Sequence, residues 1–254
     1  MHIQLTNKTI VVTGAGSGIG RAIALECAAS GASVVLADLQ AAGLEETRRL
    51  ILESGVQGVV DPLPMRTDVR DYRDVQRLFE RACAQFGSLH GVVANAGIGK
   101  PVTPSTEISL EDWNSIISVN LTGTFLTLTE AARVLIRQGQ GGSLIATGSS
   151  TAVRVAAGLL PYVASKAGVH GMVQALAVEL GPHRIRVNTL VPGLTATPLT
   201  VALPGYIEAA QKLLPMGEIA QAVEHARLVV LALSDAVPHM TGSLLKIDAG
   251  RTIA

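Results

Sequence analysis

Only two cysteines, Cys27 and Cys83, occur in 254 residues. Two thiols cannot build the disulfide framework of a small secreted domain. Both fall in segments patterned as helix, so buried free thiols are the expectation. Charge is scarce as well: 16% of residues are charged, and 20 basic against 20 acidic side chains leave no formal net charge. With no long run of like charges, a broad electrostatic surface for nucleic acid or an anionic membrane is not expected. No apolar run approaches the roughly 20 residues that span a bilayer. The polar opening MHIQLTNK lacks the charged-then-apolar layout of a signal peptide, so the expectation is a soluble, cytoplasmic chain. The histidines (His2, His90, His170, His183, His225 and His239) are scattered without metal-ligand spacing. Solvated or locally bonded imidazoles and no metal site are expected.

What the chain does have is apolar material, 48% of residues, and 26 glycines. That composition excludes a disordered chain. Short β-branched runs alternate with longer amphipathic ones. Strands are expected at Thr9–Thr13, Ser33–Asp38, Leu89–Ala94, Ser143–Thr147, Ile185–Leu190 and Ser243–Ile247, with a weaker one at Val59–Met65 that Pro62 and Pro64 interrupt. Helices are expected at Gly18–Ser30, Leu44–Ser54, Tyr72–Phe86 and Tyr162–Leu180, and across Leu110–Leu135 in one piece or two. Strands separated by helices imply βαβ units. The expectation is one doubly wound α/β domain over residues 1–254, a seven-stranded parallel sheet with helices on both faces. The irregular, proline-bearing stretch 194–215 follows a strand end, where open sheets bind ligands, and reads as a lid-like segment.

The turn Thr13-Gly-Ala-Gly-Ser-Gly-Ile-Gly20 joins the first strand to the first helix. Gly14, Ser17, Gly18, Ile19 and Gly20 would bring backbone N–H groups and the positive end of the helix dipole to a pyrophosphate. The acid that such a fingerprint needs about 20 residues on is Asp38, at the end of the second strand. Its carboxylate would accept from adenosine ribose hydroxyls and repel a 2′-phosphate. Leu39 follows it, and no basic residue lies in the turn, so NAD is expected over NADP. The alternative is a turn made only for packing, with Asp38 a solvated strand end.

Taken in order, the glycine turn, Asn95-Ala-Gly97 after the fourth strand, and Tyr162-x-x-x-Lys166 resemble the short-chain dehydrogenase/reductase family, with Asn120, Ser149 and Pro192-Gly193 in matching places. The resemblance runs over essentially the whole chain and implies a Rossmann-type fold. Tyr162 and Lys166, four apart, share a helix face. A neighbouring ammonium favours the phenolate, so Tyr162 can exchange a proton with an alcohol or alkoxide. The resemblance gives Ser149 the substrate oxygen to orient, with Ser150 one residue away as the other choice. It gives Asn120 a water that links Lys166 to solvent, though Asn120 could instead mend a helix kink. It further implies that Asp68 and Val69 hold the adenine edge, with a helix N-cap as the competing role for Asp68. Asn95, Ala96 and Gly97 would lie against the ribose. Pro192 and Gly193 would shape the nicotinamide edge, and Thr197, or its neighbour Thr195, would contact the nicotinamide or pyrophosphate. A homotetramer with its two long helices on two-fold axes is also implied. The chain departs from the family at Ala249, where two glycines usually follow Asp248.

Substrate walls are expected from Ile98–Val102, Thr151–Leu160 and Leu194–Tyr206, with Val153, Leu159 and Leu194 among them. Apolar walls favour a small neutral, hydrophobic alcohol or ketone. Lys100 and Arg154 are the cations of these segments, and either could hold a carboxylate. The function expected is an NAD(H)-dependent secondary alcohol dehydrogenase or ketoreductase. A 3-oxoacyl-thioester reductase, a polyol dehydrogenase and a non-catalytic dinucleotide sensor are the alternatives.

Overall fold

Strands β1 (Thr9–Thr13), β2 (Ser33–Asp38), β3 (Leu63–Arg66), β4 (Gly91–Ala94), β5 (Gly142–Thr147), β6 (Ile185–Pro192) and β7 (Leu244–Ile247) form one seven-stranded sheet. The computed structural model describes residues 3–201, 211–212 and 214–254. All pairings are parallel and the order is β3-β2-β1-β4-β5-β6-β7. The order reverses between β1 and β4, which opens a crevice at their carboxyl ends. β1 is buried at every position: Val11 belongs to one apolar cluster, while Ile10 and Val12 belong to the other. The first cluster lies under α3 (Tyr72–Phe86), α5 (Gly123–Gln138) and α6 (Leu160–Leu180). The second lies under α1 (Gly18–Ala29), α2 (Ala41–Leu52) and a further helix, Ala222–Leu233.

The expected strands are all present, with ends displaced as helix and strand termini commonly are. β3 is the largest displacement, Leu63–Arg66 against an expected Val59–Met65. Pro64 is accommodated because β3 is an edge strand that pairs only with β2. The expected Leu110–Leu135 segment is broken. α4 (Leu110–Ile117) passes through a π-helical turn at Ser118–Thr122 into α5. π-turns inside helices often mark functional positions, and Asn120 sits in this one.

The helix Ala222–Leu233 had no counterpart in the sequence reading. Its local signal is a capping box: the Gln221 N–H donates to Glu224 Oε2 at 2.6 Å, and the Gln221 side chain accepts from the third helical N–H. Ala226, Val229, Val230 and Leu233 recur at three-and-four spacing, and the helix packs on α1. On α6, the buried face that carries Lys166 runs on into the core: Val169, Val173 and Ala177 are buried, with Met172 and Leu176 packed against the same cluster.

The chain's departure at Ala249 has a conformational consequence. Ala249 lies at φ +52°, in the left-handed region, and Gly250 follows at +82°. A Cβ in that region costs roughly 1–2 kcal/mol. Ala249→Gly removes this cost but adds freedom to the unfolded chain, typically 0.4–1 kcal/mol. The expected net gain is about 1 kcal/mol, or roughly 2–4 °C in the melting temperature of a chain this long. A lower melting temperature in calorimetry would show that the alanine methyl makes contacts worth more than the strain.

Candidate active site

The crevice at the β1/β4 switch point opens into a cavity of about 460 Å³, lined from the glycine turn at one end to Ser149, Tyr162 and Lys166 at the other. Gly14, Ser17, Gly18, Ile19, Asp38 and Leu39 all line it. Gly20 does not, and packing explains its place: a Cβ there would stand 2.1 Å from the Gly14 carbonyl oxygen. Gly14, at φ +68°, lies close enough to β4 that a Cβ would stand 2.9 Å from Ala96 Cα. Ser17 caps α1 by position without a side-chain bond, and no acid occupies the first turn. The first N–H groups of α1 and the positive end of its dipole therefore face the cavity without a protein anion against them. Asp38 braces this turn. Its Oδ2 accepts from Gly16 N at 2.9 Å and its Oδ1 from Gln40 N at 2.9 Å. Each carboxylate oxygen keeps a lone pair for a further donor.

Asp68 and Val69 lie on the cavity wall. The cap of α3 is Asp71, which accepts from Arg73 N and Asp74 N. This takes the N-cap role away from Asp68, which instead pairs with Arg70 at 2.6 Å. Arg70 also lines the cavity, and the sequence reading did not anticipate it. Asn95 ties three strand ends together. Its Nδ2 donates to Thr13 O at 3.1 Å, and its Oδ1 accepts from Thr147 Oγ1 at 3.1 Å. Ala96 and Gly97 continue the lining.

Asn120 is fully buried. Its Oδ1 accepts from Ile98 N at 2.8 Å, and its Nδ2 donates to Ile98 O at 2.9 Å and Ser165 Oγ at 3.3 Å. Both amide hydrogens are thus spent on protein groups, and the side chain fastens the loop after β4 to α6. A Cβ on Gly97 would stand 3.3 Å from Asn120 Oδ1 and 3.4 Å from Lys166 Nζ. A side chain there would crowd both groups.

Tyr162 and Lys166 lie on successive turns of α6, with the Lys166 Nζ 5.8 Å from the Tyr162 ring centroid. The Nζ donates to Thr147 O at 2.7 Å. Lys166 is 3% exposed, and burial pushes its pKa down to about 8. Ser149 lines the cavity at the end of β5. Its Oγ accepts from Thr151 N at 3.1 Å and lies 2.7 Å from Thr151 Oγ1. Ser150 is buried away from the cavity, where its Oγ accepts from Arg251 Nη1 at 3.1 Å. Of the two serines, only Ser149 lines the crevice.

Pro192, Gly193, Thr195 and Thr197 form the far wall. The Thr195 hydroxyl donates to Gly193 O at 3.1 Å and lies 2.8 Å from His225 Nε2. With its proton given to Gly193, the hydroxyl accepts from a protonated Nε2, which leaves His225 Nδ1 as a bare acceptor. That atom is buried without a partner among the described residues. Burial holds the imidazole neutral, its pKa down at about 4. His225 thus anchors the Pro192–Thr197 wall from the helix that the sequence reading missed. Thr197 stands over Gly18, whose Cβ would lie 3.4 Å from Thr197 Cβ.

Val153, Leu159 and Leu194 do not line the cavity, and Val153 is exposed. Lys100 is paired with Asp112 at 3.1 Å. Leu203 and Tyr206, also expected near the substrate, and much of the lid-like stretch 194–215 lie outside the described residues. Among the described residues no cluster of metal-ligating side chains occurs, and no helix is long and apolar enough to cross a membrane.

Comparison with known proteins gives concordant matches. Residues 14–252 match the family model described as Enoyl-(Acyl carrier protein) reductase. The cis-4-hydroxycyclohexanecarboxylate dehydrogenase of Sinomonas cyclohexanicum is 37% identical over 253 residues, covering 99% of this chain and 99% of that protein. The crystal structure of a short-chain type dehydrogenase/reductase from Mycobacterium marinum matches with a TM-score of 0.94 at 34% identity, covering 100% of this chain and 98% of that one. A 3-ketoacyl-(acyl-carrier-protein) reductase from Brucella melitensis, complexed with NADH, matches with a TM-score of 0.91 at 30% identity, covering 98% and 100%.

Proposed function

The chain belongs to the short-chain dehydrogenase/reductase family, and we propose that this oxidoreductase interconverts a secondary alcohol and a ketone with NAD(H), Tyr162 moving the proton. The observation that carries the reading is the buried Lys166 ammonium beside the Tyr162 ring at the wall of the cavity. A cation at that distance lowers the cost of ionising the phenol. Tyr162 can then take the alcohol proton as the carbon–hydrogen bond is broken, and return it to the carbonyl oxygen in reduction. Ser149 faces the same space and would orient the substrate oxygen. Asn120 holds the loop at Ile98 against α6.

A bound nicotinamide would supply the hydride acceptor or donor. The residues present fit a dinucleotide: the α1 N-terminus has no protein anion in its first turn, and the backbone at Gly14 leaves no room for a Cβ. The NADH complex of the Brucella melitensis reductase is consistent with this. Asp38 supports NAD over NADP, because a 2′-phosphate at the ribose would meet its carboxylate. The cyclic secondary alcohol named for the Sinomonas cyclohexanicum relative supports an alicyclic substrate. Of the apolar residues that suggested a neutral substrate, Val153, Leu159 and Leu194 do not line the cavity among the described residues.

The test is initial rates on substituted cyclohexanones with each reduced dinucleotide. NADH is expected to exceed NADPH at least tenfold in kcat/KM, about 1.4 kcal/mol of discrimination. A preference for NADPH would remove Asp38 from ribose recognition. NADH binding without turnover of any ketone or alcohol would favour a sensor.

A further inference from the structure

We propose that His225 is a positioning residue for the nicotinamide end of the dinucleotide: acting through Thr195, it fixes the stretch of wall on which the base docks and so sets affinity for the base. The proposal rests on the reading of the cavity as a dinucleotide site and names the groups that hold one end of that ligand.

His225 is wholly buried on the helix Ala222–Leu233 and does not line the cavity, whereas Thr195, which it touches, does. The direction of the bond between them follows from counting protons. Thr195 Oγ1 gives its own proton to Gly193 O at 3.1 Å, so toward His225 Nε2, 2.8 Å away, it accepts. Imidazole Nε2 therefore carries the proton, and Nδ1 is left as an acceptor with no partner among the described residues. A buried acceptor without a donor destabilises a fold, and an apolar side chain of similar volume would avoid that loss. What the imidazole gives in return is the Nε2–H bond to a residue of the cavity wall.

The backbone around Thr195 shows what that bond controls. Gly193 N donates to Ile247 O at 2.8 Å, and a Cβ on Gly193 would stand 2.5 Å from Asp248 Cα, so the start of this wall is pinned to the end of β7. Thr195 then pairs with Ala220 in a parallel bridge: Ala220 N donates to Leu194 O at 3.1 Å, and Ala196 N donates to Ala220 O at 3.3 Å. Along an extended chain successive peptide groups point to opposite sides, so a residue bracketed in this way turns its own N–H and C=O away from its partner. The Thr195 C=O accepts from Thr200 Oγ1. The Thr195 N–H has no acceptor among the described residues, and it is a donor of the kind that fits a carboxamide oxygen. The side chain of the same residue is clamped from the helix by His225, so the direction of this N–H depends on the imidazole as well as on the bridge. Asp38 and the glycine turn are held by bonds of their own and share none with Thr195 or His225. A change at His225 should therefore reach the base and spare the adenosine half.

The experiment is calorimetric titration of the full-length protein with NADH and with ADP-ribose, which lacks only the nicotinamide base. NADH is expected to bind the unaltered protein more tightly than ADP-ribose. His225→Leu should weaken NADH by about tenfold, the size of one hydrogen bond, and leave ADP-ribose within about twofold. The same variant should melt no lower than the unaltered protein, because the orphaned acceptor is gone. His225→Gln, whose amide can carry a hydrogen to the place of Nε2, should recover most of the NADH affinity. Thr195→Val should match His225→Leu, and the double variant should bind NADH no more weakly than either, since one bond is lost once. The valine and glutamine variants carry the test even where the leucine variant folds poorly. Unchanged NADH affinity in His225→Leu, an equal loss of ADP-ribose affinity, or glutamine no better than leucine would each overturn the proposal. So would equal binding of NADH and ADP-ribose by the unaltered protein, which leaves the dinucleotide reading standing. Failure of that reading shows separately, as binding of neither ligand, and takes the proposal with it.

Discussion

Tyr162→Phe should lower kcat by about a thousand-fold while leaving NADH affinity within about two-fold. Positioned general acid–base groups contribute typically 10²–10⁴ in rate, and a thousand-fold corresponds to about 4 kcal/mol of barrier. Phenylalanine keeps the ring that packs at the cavity wall and beside Lys166, so the part of the cavity lined by α1, Asp38 and the loop after β6 is not disturbed. The loss should therefore fall on kcat and not on cofactor binding. Direction of the reaction supplies a second check. Alcohol oxidation needs Tyr162 without its proton and ketone reduction needs it with one. In the unaltered enzyme the oxidation rate should accordingly rise with pH and the reduction rate fall. Rapid-mixing measurement of the hydride step and fluorescence titration of NADH separate these quantities. A variant that keeps a tenth of the activity would take Tyr162 out of the proton transfer and leave Ser149 as the next group to examine.

The second large effect is one in which activity and stability move in opposite directions. Lys166→Met should abolish measurable turnover and yet melt higher than the unaltered protein at pH 7. Burial lowers the lysine pKa from 10.5 to about 8, so the fold carries an ammonium that it disfavours. A difference of that size is worth about 3 kcal/mol. The cost is fully present below pH 8, where folded and unfolded chains both hold the proton. Between about pH 8 and 10.5 the unfolded chain keeps the proton and the folded chain loses it, so rising pH favours the fold and the cost disappears. Methionine fills the space of the lysine stem without a charge, but forfeits the bond to Thr147 O, about 1 kcal/mol. The net gain at pH 7 is about 2 kcal/mol, or roughly 4–8 °C in melting temperature. At pH 10.5 the gain should vanish or reverse. Calorimetry on the dinucleotide-free proteins at both pH values decides it. A variant that melts lower at pH 7, by the same margin as at pH 10.5, would mean that the ammonium is not strained. Retention of a costly buried charge is the usual signature of a residue kept for function at the expense of stability.

Several parts of the site were legible because their information is local. A strand, a glycine turn and a helix that follow one another carry their geometry in consecutive residues, and Tyr162 and Lys166 share a face because they are four apart on one helix. Asp38 was found by the same means, one strand and one helix downstream of the turn. What stayed hidden depends on groups far apart in the chain. The helix Ala222–Leu233 offered a capping box and an apolar face, yet its importance is that His225 on it reaches Thr195. The role of Asn120 as a tie between the Ile98 loop and α6 required the π-turn that brings its amide to Ile98 and Ser165.

The same division accounts for the substrate end. Sequence neighbours of the catalytic serine and of Pro192 looked like walls because they were apolar and near in the chain. Nearness in the chain did not put Val153, Leu159 and Leu194 on the cavity wall. The alternation of strands and helices, the glycine turn and the tyrosine–lysine spacing were determined by the sequence alone, because backbone periodicity and helical spacing act over a few residues. Which serine faces the crevice and how deeply Lys166 is buried were decided only by tertiary structure, since burial and charge environment are properties of neighbours that the chain brings together from a distance.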